Sequence, residues 1–181
     1  MNALGSHTIY TIGHSTRSLK DFINILQSFS IGSLIDVRRF PGSARYPDFN
    51  KEHLANVLPK MGVSYIHMEA LGGRRKAKSD SKNDRWRNLA FRGYADYMET
   101  GEFQEAVSAL EYEASKQTTA YMCSEAVWWR CHRSLVSDYL KARGWIVLHI
   151  MSAGKTEEHP YTSPARIRQG QLFYSDENLF E

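Results

Sequence analysis

The chain has 181 residues, 42% of them hydrophobic and 24% charged, with a formal net charge of +3. That length and apolar fraction suit one domain with its own core and require no disulfide staples. No apolar run approaches the roughly 20 residues of a bilayer span, and residues 1–6 lack the charged-then-apolar order of a secretion signal. The expectation is a cytoplasmic protein with no membrane partner, its two cysteines more at home as free thiols than as a structural bridge, although residues eight apart can still meet and oxidise.

His7 to Ile12 reads as a first strand, broken by Gly13. Leu19, Phe22, Ile23 and Leu26 recur at helical spacing, with Thr16 or Ser18 as N-cap. Gly32 ends that unit, and Ser33 to Val37 (SLIDV) is a short buried strand. Pro41, Gly42 and Pro47 mark a loop. Asn50 caps a predicted helix over Lys51–Lys60, closed by Gly62, and Val63 to Met68 is the third strand. Leu71 to Arg92 has no clear period and reads as a long loop, of the kind that is often functional or disordered. Helices are predicted near Gly93–Glu99 and over Phe103–Lys116. Thr118 to Cys123 is the fourth strand, Ser134 to Arg143 a helix ended by Gly144, and Trp145 to Ile150 the fifth strand. The tail after Gly154 is mostly irregular, with a short strand at Gln171–Tyr174.

This alternation predicts an α/β fold: a single three-layer, Rossmann-like domain whose mostly parallel five-stranded sheet carries helices on both faces. The domain is expected over 1–154, with a basic loop at 71–92, and a C-terminal tail at 155–181 is expected to pack on it or extend from it. Handed crossovers place the strand C-termini along one rim.

The charge is local. Leu71 to Arg92 carries a net +6, while the rest of the chain sums to −3. Local positive fields attract phosphates, nucleic acid or acidic partners, so Arg74, Arg75, Lys76, Lys78 and Arg85 are candidate nucleic-acid contacts. The plainer alternative is a solvated loop.

Polar and reactive residues follow every strand: Gly13, His14 and Ser15 after the first; Asp36, Arg38 and Ser43 after the second; Gly72 and Gly73 after the third; Cys123, Glu125, Trp128, Arg130, Cys131, His132 and Arg133 after the fourth; His149 at the end of the fifth. Their convergence predicts a ligand or catalytic site at the rim. Gly13, Ser15, Ser43, Gly72 and Gly73 offer backbone and hydroxyl contacts to a substrate. Arg38, Arg130 and Arg133 beside a helix N-terminus suit an anion, unless Arg38 pairs internally with Asp36 or Glu125. Trp128 could stack on a base or anchor its loop. Glu125, with Asp36 or His14, suits proton transfer. Cys123 is either nucleophile or wall. Cys123, Cys131 and His132 are ligand types for a metal, but their spacing matches no known finger, and the residues single out no cofactor.

Cys123 at the end of a buried strand, followed by a loop to Arg130 and a helix, resembles the cysteine loop of rhodaneses and dual-specificity phosphatases. The strand Leu34-Ile35-Asp36-Val37-Arg38 is similar to the Asp-Val-Arg strand of rhodaneses. The loop here is longer, carries Glu125 and has no glycine. Thr11-Ile12-Gly13-His14-Ser15, Asp36-Val37-Arg38 with Pro41 and Ser43, Leu71-Gly72-Gly73, Cys123-x-Glu125 and Cys131-His132-Arg133, in that order, resemble the domain of unknown function 488 family. The resemblance implies a small intracellular α/β protein and no particular reaction. The expectation is an enzyme acting on a phosphate-bearing substrate, nucleic acid or nucleotide. The alternatives are a non-catalytic nucleic-acid-binding module and a metal-binding or thiol redox protein.

Overall fold

Six strands of the described residues, 7–176 of a computed structural model, form one sheet in the order β3-β2-β4-β1-β5-β6. The parts of the expected domain and tail at 1–6 and 177–181 lie outside the described residues. The strands are β1 (Thr8–Gly13), β2 (Ser33–Asp36), β3 (Ser64–His67), β4 (Thr119–Cys123), β5 (Ile146–Ser152) and β6 (Lys155–Glu158). The first five pair in parallel, as the β-α alternation requires. The sixth is a correction to the five expected: β6 turns back at Gly154, which adopts a φ of +67°, and pairs antiparallel with β5. The sheet is therefore mixed. Lys155-Thr156-Glu157-Glu158 has no apolar alternation because it is an edge strand open to water, where charge discourages further pairing. The expected strand near Gln171 forms β8 (Gln171–Phe173), paired with β7 (Arg166–Arg168) in a separate hairpin.

Helices cover both faces. Strand side chains alternate, so Ile12, Leu34, Ala120 and Met122 face α1 (Leu19–Ser28) and α2 (Lys51–Val57) through Phe22, Leu26 and Leu54. Ile9, Ile35, Tyr121 and Val147 face α3 (Leu89–Met98), α4 (Gly101–Lys116) and α5 (Arg133–Ala142) through Tyr94, Phe103 and Leu135. Ser18 caps α1 by accepting the Asp21 N–H at 3.0 Å. The α-helix predicted to Lys60 stops at Val57 and tightens into a 3-10 turn over Leu58–Met61. Pro59 has no N–H to give to an i−4 carbonyl, which accounts for the change.

The long connection from 72 to 88 has no regular structure, yet it is tied down. Asp96, buried on α3, accepts the Lys78 N–H at 2.8 Å, the Ser81 hydroxyl and the Asn83 amide at 2.9 Å. These bonds outweigh the effect of burial and hold the Asp96 carboxyl below its ordinary pKa. Gly93 lets the strap lie flat on α3, since a Cβ there would sit 2.3 Å from the Arg75 carbonyl oxygen.

A second polar knot joins the C-terminal stretch to the core. Asp138 on α5 is fully buried and accepts from His159 Nε2 at 2.9 Å, the Thr162 N–H at 2.8 Å, the Thr162 hydroxyl and the Tyr174 hydroxyl at 2.9 Å. His159 Nδ1 meets His149 Nε2 at 2.9 Å, and His149 Nδ1 meets Thr11 Oγ1 at 2.7 Å. Trp128 stacks on the His149 ring, centroids 4.6 Å apart. Asp138→Ala leaves several buried donors unpaired, each costing about 1–3 kcal/mol. The expected loss is about 3 kcal/mol or more in urea unfolding, and a variant within about 1 kcal/mol of the parent would show that water replaces the carboxylate freely.

Candidate functional site

Parallel register brings the strand ends level. Gly13 lies opposite Cys123, and Asp36 opposite both Met122 and His67. The backbone then zips onward: the N–H groups of His14, Ser15 and Val37 donate to the carbonyls of Cys123, Ser124 and Met122, each at 3.0 Å. This places His14, Arg38, Ser43, Gly73, Arg74, Cys123, Glu125, Arg130, Cys131 and His132 around one cleft of about 480 Å³. Gly13 makes the approach possible. A Cβ there would stand 1.7 Å from the Glu125 carbonyl oxygen, so Gly13→Ala should push the Glu125 loop outward.

Several predicted residues sit behind the cleft instead of in it. Asp36 is completely buried. Its two oxygens accept from Arg38 Nε at 2.9 Å and Nη2 at 2.6 Å, and the Tyr65 hydroxyl adds a bond at 2.6 Å. Burial works against the Arg38 charge, but the Asp36 carboxylate outweighs it and raises the guanidinium pKa. His14 is held at both nitrogens: Nδ1 lies 2.9 Å from the Ser15 carbonyl and so carries the hydrogen, leaving Nε2 to accept Arg38 Nη1 at 3.3 Å. Burial first, then the Arg38 charge, lowers the His14 pKa from 6.5 to about 4. Stacked on Phe49 at 4.3 Å, it is a neutral wall of the cleft.

Arg133 is 1% exposed and does not line the cleft. Its guanidinium reaches Cys123 Sγ at 3.0 Å, Thr11 Oγ1 at 3.2 Å and the Glu125 carbonyl at 2.7 Å. Ser15 and Trp128 are also outside the lining, and so is Gly72, packed against the Arg39 backbone. The Ser43 hydroxyl accepts the N–H groups of Arg45 and Tyr46 and so braces its turn. Of the basic stretch, Arg74 alone among the five predicted contacts lines the cleft. Arg75 donates to the Gly72 and Ala70 carbonyls and lies 3.6 Å over the Tyr97 ring. Arg85 pairs with Asp176 at 2.6 Å. Lys76 is exposed, and Lys78 stands 3.9 Å from Glu99.

Sequence reasoning missed the aromatic part of the lining. Phe40 is 62% exposed, with the guanidiniums of Arg39 and Arg74 at 5.5 and 5.8 Å from its ring. Tyr46, Phe91 and Tyr94 complete that wall. An unpaired phenylalanine in the Pro41-Gly42 loop was the available signal.

The two thiols meet, Cys123 Sγ to Cys131 Sγ at 2.6 Å, both nearly buried and both at the cleft wall. Burial pushes the Cys123 thiol well above its ordinary pKa. Burial also acts to raise Cys131, but the Cys123 hydrogen bond and the Arg133 charge outweigh it and bring Cys131 from 9.0 to about 7. Of the two sulfurs, Cys131 is thus the readier to ionise. His132 Nδ1 lies 3.5 Å from Cys131 Sγ. Among the described residues, no group of three or more His, Cys, Asp or Glu side chains is arranged to hold a metal ion, and no helix is long and apolar enough to cross a membrane.

The geometry defines a three-layer α/β protein with a candidate site at the carboxyl rim of its sheet. A family model, "Domain of unknown function DUF488", matches residues 18–140, and the chain belongs to that family. A comparison of this chain with the curated proteins and with the solved structures found no significant match.

Two buried neutral histidines make stability depend on pH. Burial, then His159, lowers His149 from 6.5 to about 2. The unfolded chain binds protons at His14 and His149 below about 6.5, while the folded one stays neutral to about 4 and about 2. Stability is thus full above that range and lost as pH falls, by at most about 1.4 kcal/mol per unit and group. Between about pH 7 and pH 5 the urea unfolding free energy should drop by about 4 kcal/mol from these two, and His132, also lowered by burial, acts in the same direction; a flat midpoint would contradict the neutral assignments.

Proposed function

We propose that this protein is an enzyme acting on a phosphate-bearing substrate, a nucleotide or nucleic acid, held in the rim cleft. One observation carries the reading: Arg38, Arg39, Arg74 and Arg130 line the cleft together with Glu125, the one carboxylate among its lining residues. Arg38 is already matched by Asp36, so Arg39, Arg74 and Arg130 hold the charge that an anionic substrate would neutralise. Phe40 and Phe91 supply apolar ring surface beside these cations, which suits a base attached to a phosphate.

Glu125 is the proton carrier in this reading. It is exposed to the cleft, while Arg133 fixes its backbone carbonyl and hence the start of its side chain. Asp36 and His14, both fully engaged, position Arg38 and do not exchange protons with substrate. The exposed Phe40 ring flanked by two guanidiniums, a stacking platform in itself, would equally serve a non-catalytic nucleic-acid-binding role.

The test uses nucleotides and labelled single-stranded oligonucleotides, with binding followed by anisotropy and products by mass spectrometry. Arg74→Ala and Arg130→Ala should each weaken binding about tenfold and flatten its salt dependence by about one charge. Glu125→Gln should leave binding intact and reduce turnover by about 10²-fold or more. Binding without turnover in the parent would select the binding module. Absence of binding to any of these anions would sink both readings.

A further inference from the structure

We propose that Cys131 and Cys123 form a thiol–disulfide exchange couple opening on the cleft, with Cys131 as the attacking sulfur, Cys123 as the resolving sulfur and His132 as the base. The proposal goes beyond phosphate chemistry and does not rest on it, since a phosphate site has no need of two sulfurs in contact.

Three features of the geometry carry it. The sulfurs approach to 2.6 Å across eight residues of chain, so each stands within reach of the other at the cleft wall. Each is otherwise sealed by protein, and the cleft is the side from which a small disulfide can reach them. Cys131 also has the better attacking position. It stands just ahead of α5, where the Arg133 N–H points at its sulfur at 3.5 Å, and a helix N-terminus favours a thiolate.

His132 completes a nucleophile–base pair. Its Nε2 lies 3.0 Å from the Val37 carbonyl, which accepts only, so that nitrogen carries the hydrogen. Nδ1 is left with a free lone pair 3.5 Å from Cys131 Sγ. A base aimed at a nucleophile and oriented by a third group is the arrangement that activates a thiol. Gly73 permits it, because a Cβ at that position would press on Nδ1 at 2.9 Å. Arg133 Nε, 3.0 Å from Cys123 Sγ, stabilises the second sulfur as its proton leaves.

The co-reactant is a low-molecular-weight disulfide, RSSR. Cys131 gives its proton to His132 Nδ1, and the thiolate attacks one sulfur of RSSR. The RS–SR bond breaks, and the departing RS⁻ takes the proton from His132 as RSH. Cys123 then attacks Cys131 Sγ in the mixed disulfide. The second RS⁻ leaves with the Cys123 proton. Two protein thiols are oxidised, and one small disulfide is reduced to two thiols.

Glutathione disulfide is the probe, added to the reduced full chain with no phosphate ligand present. Samples are quenched in acid, alkylated and mapped as non-reduced peptides. The parent should form the Cys123–Cys131 bond, preceded by a glutathione adduct on Cys131. Cys123→Ser should accumulate that adduct. Cys131→Ser should react at least about a hundredfold more slowly, and His132→Gln should reach the parent's product about a hundredfold more slowly. Persistent alkylation of both cysteines in the parent, or an adduct that appears first on Cys123, would overturn the proposal. The order of events in the parent decides the matter even if a variant fails to fold. Failure here leaves oligonucleotide binding untouched, and failure of binding leaves this exchange untouched.

Discussion

A guanidinium sealed inside the protein organises the rim. Arg133 is 1% exposed and its donors go to a thiol, a hydroxyl and a carbonyl, none of which carries a full formal charge of its own. Arginine does not escape burial by releasing its proton. Burial works against the cation, but the two adjacent sulfurs raise its pKa, which means that charge on Arg133 and charge on the thiol pair stabilise one another. One side chain thereby joins β1 through Thr11, β4 through Cys123 and the following loop through Glu125. Its removal would leave the Cys123 sulfur and the Glu125 carbonyl without this donor, at about 1–3 kcal/mol for each buried group left unpaired.

The remaining arginines divide by what they face. Arg38 meets a buried carboxylate and the Phe49 carbonyl, so it serves as a pillar whose outer edge reaches the cleft. Arg75 and Arg85 meet carbonyls and Asp176, and their charge serves to hold loops in place. Arg39, Arg74 and Arg130 line the cleft wall, where the proposed substrate would meet them. A count of positive residues therefore overstates the basic surface of the stretch after Leu71.

The parallel strands were legible because SLID and TAYMC are buried along their whole length. Chain alternation then placed His14, Arg38, Cys123 and Glu125 on one rim, as found. β6 was not legible, because a charged edge strand has the composition of a loop. Helix α3 starts earlier than Gly93 because Asn88 caps it, accepting from the N–H groups of Ala90 and Phe91, while Leu89 in its first turn points to water. The pairing of Arg38 with Asp36 was open as an alternative, because the two stand two residues apart, and it is the one that forms. The role of Arg85 was out of reach, because it finds its carboxylate 91 residues away and such a pairing leaves no periodic trace. Asp138 and His159 meet across 21 residues in the same way.

The Asp138 knot has an evolutionary corollary. The matched family segment ends at residue 140, so the carboxylate lies within it, while His159, Thr162 and Tyr174, which saturate it, lie beyond. A chimaera that grafts a foreign C-terminal extension onto this core inherits a starved acid in its interior. Position 138 and the three donors should consequently drift through sequence space as a linked quartet, exchanged together or not at all.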